Sequence, residues 1–226
     1  MNALVIGNKN RYEELLLKLP QHIVPKYFPQ WEAVELGDYA LVFDLNFDDS
    51  PCNIKFLAPL KNVPVFAGAV KKRLAEAAFE YADTLHCRLI GMNTLPGFIN
   101  RELMEVSLLN NNASGVDTLM NTLGWKYKVV DDRAGMVTPR IICMIINEAF
   151  YTLQEGTASI GDIDLAMKLG TNYPHGPFEW AEKIGIRDVY ETLDAIYRDT
   201  RDERYKICPL LKSKYLKGEP VYSAAV

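Results

Sequence analysis

Few residues in this 226-residue chain could do chemistry, and they are dispersed. The first candidate is Gly7, which ends the apolar run Ala3-Leu4-Val5-Ile6 and precedes a helical stretch from Arg11 to Leu19. Strand, glycine and helix in that order open a nucleotide-binding βαβ unit, where the helix N-terminus receives phosphate. The loop itself reads Gly7-Asn8-Lys9-Asn10-Arg11-Tyr12, with Lys9 and Tyr12 in the places of the second and third glycines. Those glycines let backbone approach the diphosphate and helix pack on strand. Lys9 and Tyr12 are therefore expected to crowd the loop. No acid closes the next strand near Ile23-Val24, where a ribose would be held; Lys26 is nearby instead. A βα unit serving as scaffold accounts for the stretch.

Asp44, Asp48 and Asp49 follow the strand Tyr39–Asp44 without an ordered ligand spacing, so they read as a solvated loop rather than a metal site. Lys71-Lys72-Arg73 reads as the solvated start of a helix over 71–83. Glu105 lies among Phe98, Leu103, Met104 and Val106, and alternation places it facing solvent. His86 and His175 read as surface or structural residues. Cys52, Cys87, Cys143 and Cys208 have no paired spacing, so neither zinc nor a disulfide framework is expected.

The net charge of -4 excludes nucleic acid as the main partner, because phosphate neutralisation needs a basic surface. No apolar run reaches membrane-span length and no signal-peptide pattern opens the chain, so a cytoplasmic protein without a membrane partner is expected.

The elements that must position these residues come in two kinds. Short apolar strands at 3–6, 39–44, 63–67, 88–92 and 126–130 alternate with helices, which implies a mostly parallel sheet covered on both faces. Asn53–Leu60 and Gly115–Leu123 read as two of those helices. From Asp132 the pattern is helical throughout, giving domains 1–131 and 132–226. Thr138 and Pro139 read as N-cap and first residue of a helix running to Glu155, with Gly156 as its stop. The run Ile141–Ile146 leaves no polar face, so this helix is expected to be a post buried all round. Helices follow from Ser159 to Gly170, Phe178 to Ile184, Arg187 to Arg201 and Pro209 to Leu216.

From Gly135 onward the sequence resembles the C-terminal domain of the 3-hydroxyacyl-CoA dehydrogenase family. The matching residues are Gly135-Met136-Val137, Arg140, Asn147-Glu148-Ala149, Glu155-Gly156, Ile163-Asp164, Gly170, Pro174-x-Gly176-Pro177-Phe178, Ile184-Gly185, Arg204-Tyr205 and Pro209-Leu210-Leu211. The resemblance implies an α/β Rossmann-like N-terminal domain followed by an all-α dimerisation domain, hence a homodimer through the helices. It also implies oxidation of a 3-hydroxyacyl-CoA by NAD, in which a histidine takes the hydroxyl proton and a glutamate orients it.

In that family the histidine follows a strand ending Ile-Gly-Met. Here Ile90-Gly91-Met92 is followed by Asn93, and the glutamate twelve residues on matches Glu105. Glu105 thereby gains a second reading, as a buried partner without its base. Pro139 occupies the place of a substrate-contacting asparagine, and Ala67-Gly68-Ala69-Val70 replaces an Asn-Thr-Ser motif. Lys55 falls where the family offers a lysine to the CoA phosphates. The long helical segment between the early strands is missing. General acid–base catalysis contributes about 10²–10⁴-fold, and asparagine cannot titrate near neutrality. With the glycine loop changed as well, NAD binding is expected to fail, leaving a homologue of this oxidoreductase family with weak or no NAD-dependent dehydrogenase activity; the alternative is a non-catalytic relative that binds an acyl-CoA or a partner protein.

Overall fold

The computed structural model describes residues 1–34, 37–81 and 83–222. Its contacts divide the chain into two units, Met1–Met136 and Val137–Val226.

The first unit runs β1 (Asn2–Ile6), α1 (Lys9–Lys18), β2 (Val24–Phe28), β3 (Leu41–Asp44), β4 (Pro64–Gly68), α2 (Leu74–Ala78), β5 (Arg88–Met92), β6 (Leu103–Leu108), α3 (Val116–Leu123) and β7 (Lys126–Val129). The strands form one sheet of order β2-β1-β3-β4-β5-β6-β7. Every neighbouring pair is parallel except β5 with β6. Side chains alternate between its faces, as the pleat requires. Ala3 and Val5 join a core with Leu15, Phe43, Phe66 and Met120; Leu4 and Ile6 join a second with Val42, Ile54, Val65 and Leu74. Burial on both faces explains why these strands read as apolar runs.

Three stretches differ from the sequence reading. The helix expected over 71–83 is only α2 and a 3-10 turn at Phe79–Tyr81, with Ala82 outside the described residues. It starts late because the N–H groups of Lys71 and Lys72 are taken by Asp48, and those of Leu74 and Ala75 by Asp132. The stretch after Asp49 forms a 3-10 turn, Pro51–Phe56, in place of an α-helix over 53–60. The unit boundary falls at Met136–Val137 rather than at 131–132, because Asp132 caps α2 and Gly135 N–H donates to Val70 O at 2.6 Å.

The second unit contains α4 (Thr138–Gln154), α5 (Ile160–Thr171), α6 (Pro177–Ile184), α7 (Ile186–Thr200) and α8 (Pro209–Lys217). α4 packs against α6, α7 and α8, which is the expected central post. Two details are corrected. Val137, not Thr138, is the N-cap, and it caps without a side-chain hydrogen bond; Pro139 does sit in the first turn. The post is also not covered on every side within one chain: Cys143, Ile146 and Phe150 are buried, but Ile141 is 55% exposed.

The Pro174–Phe178 turn is explained by Asp164 of α5, which is buried and accepts the N–H groups of Phe178 (2.8 Å) and Glu179 (3.2 Å). A Cβ on Gly176 would lie 2.3 Å from Asp164 Cγ, so the motif needs glycine there. Asn147 ties down the tail before α8 by donating to Lys206 O and accepting Cys208 N–H, both at 2.9 Å.

Candidate site: the switch-point crevice and the Asn93 edge

From β1 the chain turns to β2 on one side, while β3 and later strands lie on the other. In open α/β sheets the crevice beyond the strand ends at such a reversal is where ligands bind. Gly7 ends β1 here, and a Cβ on it would lie 2.8 Å from Leu45 Cβ, so glycine is required for β1 to approach the residue after β3. Asn8 caps α1, its Oδ1 accepting Arg11 N–H at 3.0 Å.

The crevice is filled from within. Arg11 is 2% exposed, and its Nη1 donates to Leu45 O at 2.8 Å, Asn46 Oδ1 at 3.1 Å and Asp49 Oδ2 at 2.7 Å. Asn46 Oδ1 also accepts Asn8 N–H at 3.2 Å. Lys71 Nζ donates to Asp49 Oδ1 at 2.8 Å. The crowding expected from Lys9 and Tyr12 is not seen. Lys9 is 78% exposed beside Glu13, and Tyr12 stacks on Tyr27 of β2 with ring centroids 4.3 Å apart. Arg11 is the residue in the way.

Of the three aspartates expected in a solvated loop, Asp49 is exposed but Asp44 and Asp48 are buried. Asp44 is buried and accepts Trp31 Nε1–H at 2.7 Å and Asn46 N–H at 3.2 Å. Asp48 is buried and accepts the N–H groups of Val70 (2.8 Å), Lys71 (3.0 Å) and Lys72 (3.1 Å). Successive N–H groups of this kind make an anion-binding concavity, and here its anion is the chain's own carboxylate. Burial pushes both carboxyls up to about 6; Trp31 and Asn46 oppose it at Asp44, and Val70 and Lys71 at Asp48. At Asp49 burial acts upward too, but Arg11 and Lys71 outweigh it and leave that carboxyl below its ordinary value.

At the end of β5, Asn93 is buried, and its Oδ1 accepts Leu95 N–H at 3.1 Å. β5 and β6 pair through Met92 and Val106, so the next step of the antiparallel register sets Glu105 opposite Asn93. Glu105 is half-buried rather than exposed, in register with Lys128 of β7. The edge is tightly packed. Thr94 Oγ lies 2.5 Å from where a Gly68 Cβ would be, and Thr94 and Ser107 are among the buried hydroxyls without a hydrogen-bond partner. β6 carries Glu105 into this arrangement, and the sequence offered only its alternation as a sign.

The other expected site residues lie elsewhere. Lys55 is exposed on its 3-10 turn, with Nζ 4.9 Å from the Phe56 ring centroid. His86 is exposed, and His175 stands edge-on to Trp180 beside Glu179 in the helical unit. Pro139 belongs to that second unit and is buried in the first turn of α4. Arg11 and Asn46 were missed because they read as a helix-surface cation and a loop amide.

A mostly parallel sheet with one order reversal, followed by a helical unit, defines a Rossmann-type protein with an appended all-α domain. Comparison with known proteins narrows this. Residues 135–223 match the model of the 3-hydroxyacyl-CoA dehydrogenase C-terminal domain. A 3-hydroxyadipyl-CoA dehydrogenase of Escherichia coli is 42% identical over 87 residues, 38% of this chain and 18% of the relative. A probable 3-hydroxybutyryl-CoA dehydrogenase of Bacillus subtilis is 34% identical over 135 residues, 58% of this chain and 47% of the relative. The chain thus spans less than half the length of these curated relatives. The crystal structure of (S)-3-hydroxybutyryl-CoA dehydrogenase from Ralstonia eutropha shares the fold, with a TM-score of 0.74 over 100% of this chain and 99% of that one, at 21% identity. Residues 135–223 thus carry the C-terminal domain of the 3-hydroxyacyl-CoA dehydrogenase family.

Proposed function

We propose that this chain is a cytoplasmic homologue within acyl-CoA metabolism that recognises an acyl-CoA but has weak or no NAD-dependent dehydrogenase activity. The observation that carries this reading is the filled crevice. The N-terminal turn of α1 is served by Asn8 and Asn46, and Arg11 lies where a diphosphate would approach. A cofactor entering there must first break the Arg11–Asp49 pair. Leaving a buried charge unpaired costs roughly 3–5 kcal/mol.

Asn93 supports the same reading from the chemical side. Oxidation of a 3-hydroxyacyl group needs a base for the hydroxyl proton, and the resemblance sets that base at Asn93. An amide offers no such base, and this one is already committed to Leu95 N–H. Glu105 could orient a histidine there but would have none to orient. The reading includes a homodimer through the helical unit, for which the exposed Ile141, Leu165 and Leu169 supply apolar surface.

A second reading, a relative that binds a partner protein instead of an acyl-CoA, is favoured by Lys55. That residue packs over Phe56, in place of standing free to meet a CoA phosphate.

The test of activity is acetoacetyl-CoA reduction followed at the NADH absorbance. The expected result is no turnover above the enzyme-free rate. Turnover that responds to Asn93→Ala would overturn the reading.

A further inference from the structure

The end of α8 helps to build a second concave surface, made only of residues of the helical unit. Gly218 ends α8 in the left-handed conformation, with φ 65°, and the residues after it are pinned at several points. Glu219 N–H donates to Lys214 O, and Lys214 Nζ donates to Pro220 O, both at 2.9 Å. Val221 is buried, and the Tyr222 hydroxyl donates to Asp164 Oδ2 at 3.2 Å.

Between this pinned segment and residues 185–187 lies a groove of about 410 Å³. Ile186, Pro220, Val221 and Tyr215 give it apolar walls, while Glu182, Glu219 and Arg187 bring charge. That volume lies within the ~300–1,000 Å³ of small-molecule sites, and walls pinned in this way stand before a ligand arrives.

The charges are not balanced. Arg187 Nε donates to Glu191 Oε1 at 2.8 Å, so this cation is already met. Glu219 has Lys217 at 3.6 Å, a loose contact. Among the described residues Glu182 has no ion-pair partner. Its field reaches the pinned segment: burial, then Asp164 and its hydrogen bond, then Glu179 and Glu182, push the Tyr222 hydroxyl up to about 12. A ring beside carboxylates adds to the attraction, because the face of an aromatic ring draws a cation. Tyr215 supplies such a ring, held by stacking on Tyr190 with centroids 4.0 Å apart.

We propose that this groove binds a small organic ammonium, with its apolar body against Ile186 and Val221 and its charged head between Glu182 and Glu219 beside Tyr215. The site shares no residue with the cofactor crevice. NADH titration and acetoacetyl-CoA reduction do not bear on it, so it and the functional reading can fail separately.

The experiment is amide NMR titration of the wild-type chain and of Glu182→Gln/Glu219→Gln with three probes of one shape and different charge: benzylamine, benzyl alcohol and benzoate. Neither glutamate is buried, so the double variant is expected to keep its fold, which its spectrum checks. The expected result at low salt is saturable shifts of the Gly185 and Gly218 amides. Benzylamine should bind about 5-fold more tightly than benzyl alcohol, and benzoate more weakly than either; two solvent-exposed ion contacts supply a preference of that order. The preference should vanish in the double variant and shrink as salt screens it. Equal affinity for the three probes, tightest binding of benzoate, or a preference that survives the double substitution would overturn the proposal. An absence of saturable shifts at Gly185 and Gly218 would do the same. If the double variant does not fold, Glu182→Gln and Glu219→Gln are read singly, each expected to lower the benzylamine preference; a preference unchanged in both would overturn the proposal.

Discussion

At the scale of residues, the site is defined by replacements whose effects can be separated. Restoring the base alone by Asn93→His leaves Arg11 in the crevice, so acetoacetyl-CoA reduction is expected to rise less than ~10-fold. A rise of the ~10²–10⁴-fold that a positioned base supplies would show that the cofactor crevice is competent after all. Asp44 and Asp48 give a second prediction, through proton linkage. Burial raises both carboxyls from 3.8 to about 6. A group raised in the folded state contributes stability that is complete below its unfolded value and is lost as pH rises through the folded one. Asp49 is lowered, so its contribution is present above the ordinary carboxylate range and lost only in stronger acid. Lowering the pH from about 7 to about 5 is therefore expected to raise the urea midpoint, and Asp48→Asn to flatten that rise. A midpoint that falls over this interval in the wild type, or a slope unchanged by Asp48→Asn, contradicts the assignment.

At the scale of elements, Gly176 offers a clean test of why the Pro174–Phe178 turn has its sequence. Its φ is -71°, so no backbone strain attends a side chain. The difficulty is Asp164, whose Cγ would sit 2.3 Å from the new Cβ. Gly176→Ala should push Asp164 off the Phe178 and Glu179 N–H groups and cost about 1–3 kcal/mol in urea unfolding. A cost below ~0.5 kcal/mol would mean that Asp164 does not hold the start of α6. The helical unit was the legible part of the chain, because each stop and start is local: Gly156, Ser159, Gly176-Pro177 and Gly185 each act within a turn of themselves. The same holds for the apolar runs that became β1, β3, β4 and β5. α2 was misjudged because distant carboxylates, Asp48 and Asp132, take the N–H groups of the segment. The crevice was illegible for a like reason. Arg11 and Asp49 lie thirty-eight residues apart, and no spacing rule joins them.

At the scale of the whole molecule, the exposed apolar residues of the helical unit are the feature a single chain leaves unexplained. Ile141, Leu165 and Leu169 are 55%, 53% and 79% exposed. Burying such side chains is worth ~1.5–3 kcal/mol apiece, enough to favour self-association. Leu165→Asp/Leu169→Asp is expected to halve the mass measured by light scattering without lowering the urea midpoint. A wild-type mass already equal to one chain would remove the homodimer from the account. Among the described residues no helix is long and apolar enough to cross a membrane. The helical unit matches its family's domain model, whereas Gly7 and Asn93 belong to the other unit. Self-association and loss of cofactor binding are thus expected to be independent properties of the chain.

The most direct test of the central claim is calorimetric titration of the wild-type chain with NADH. A crevice filled by Arg11, Asn46 and Asp49 predicts no saturable heat up to millimolar cofactor. Micromolar affinity at one site per chain would contradict it.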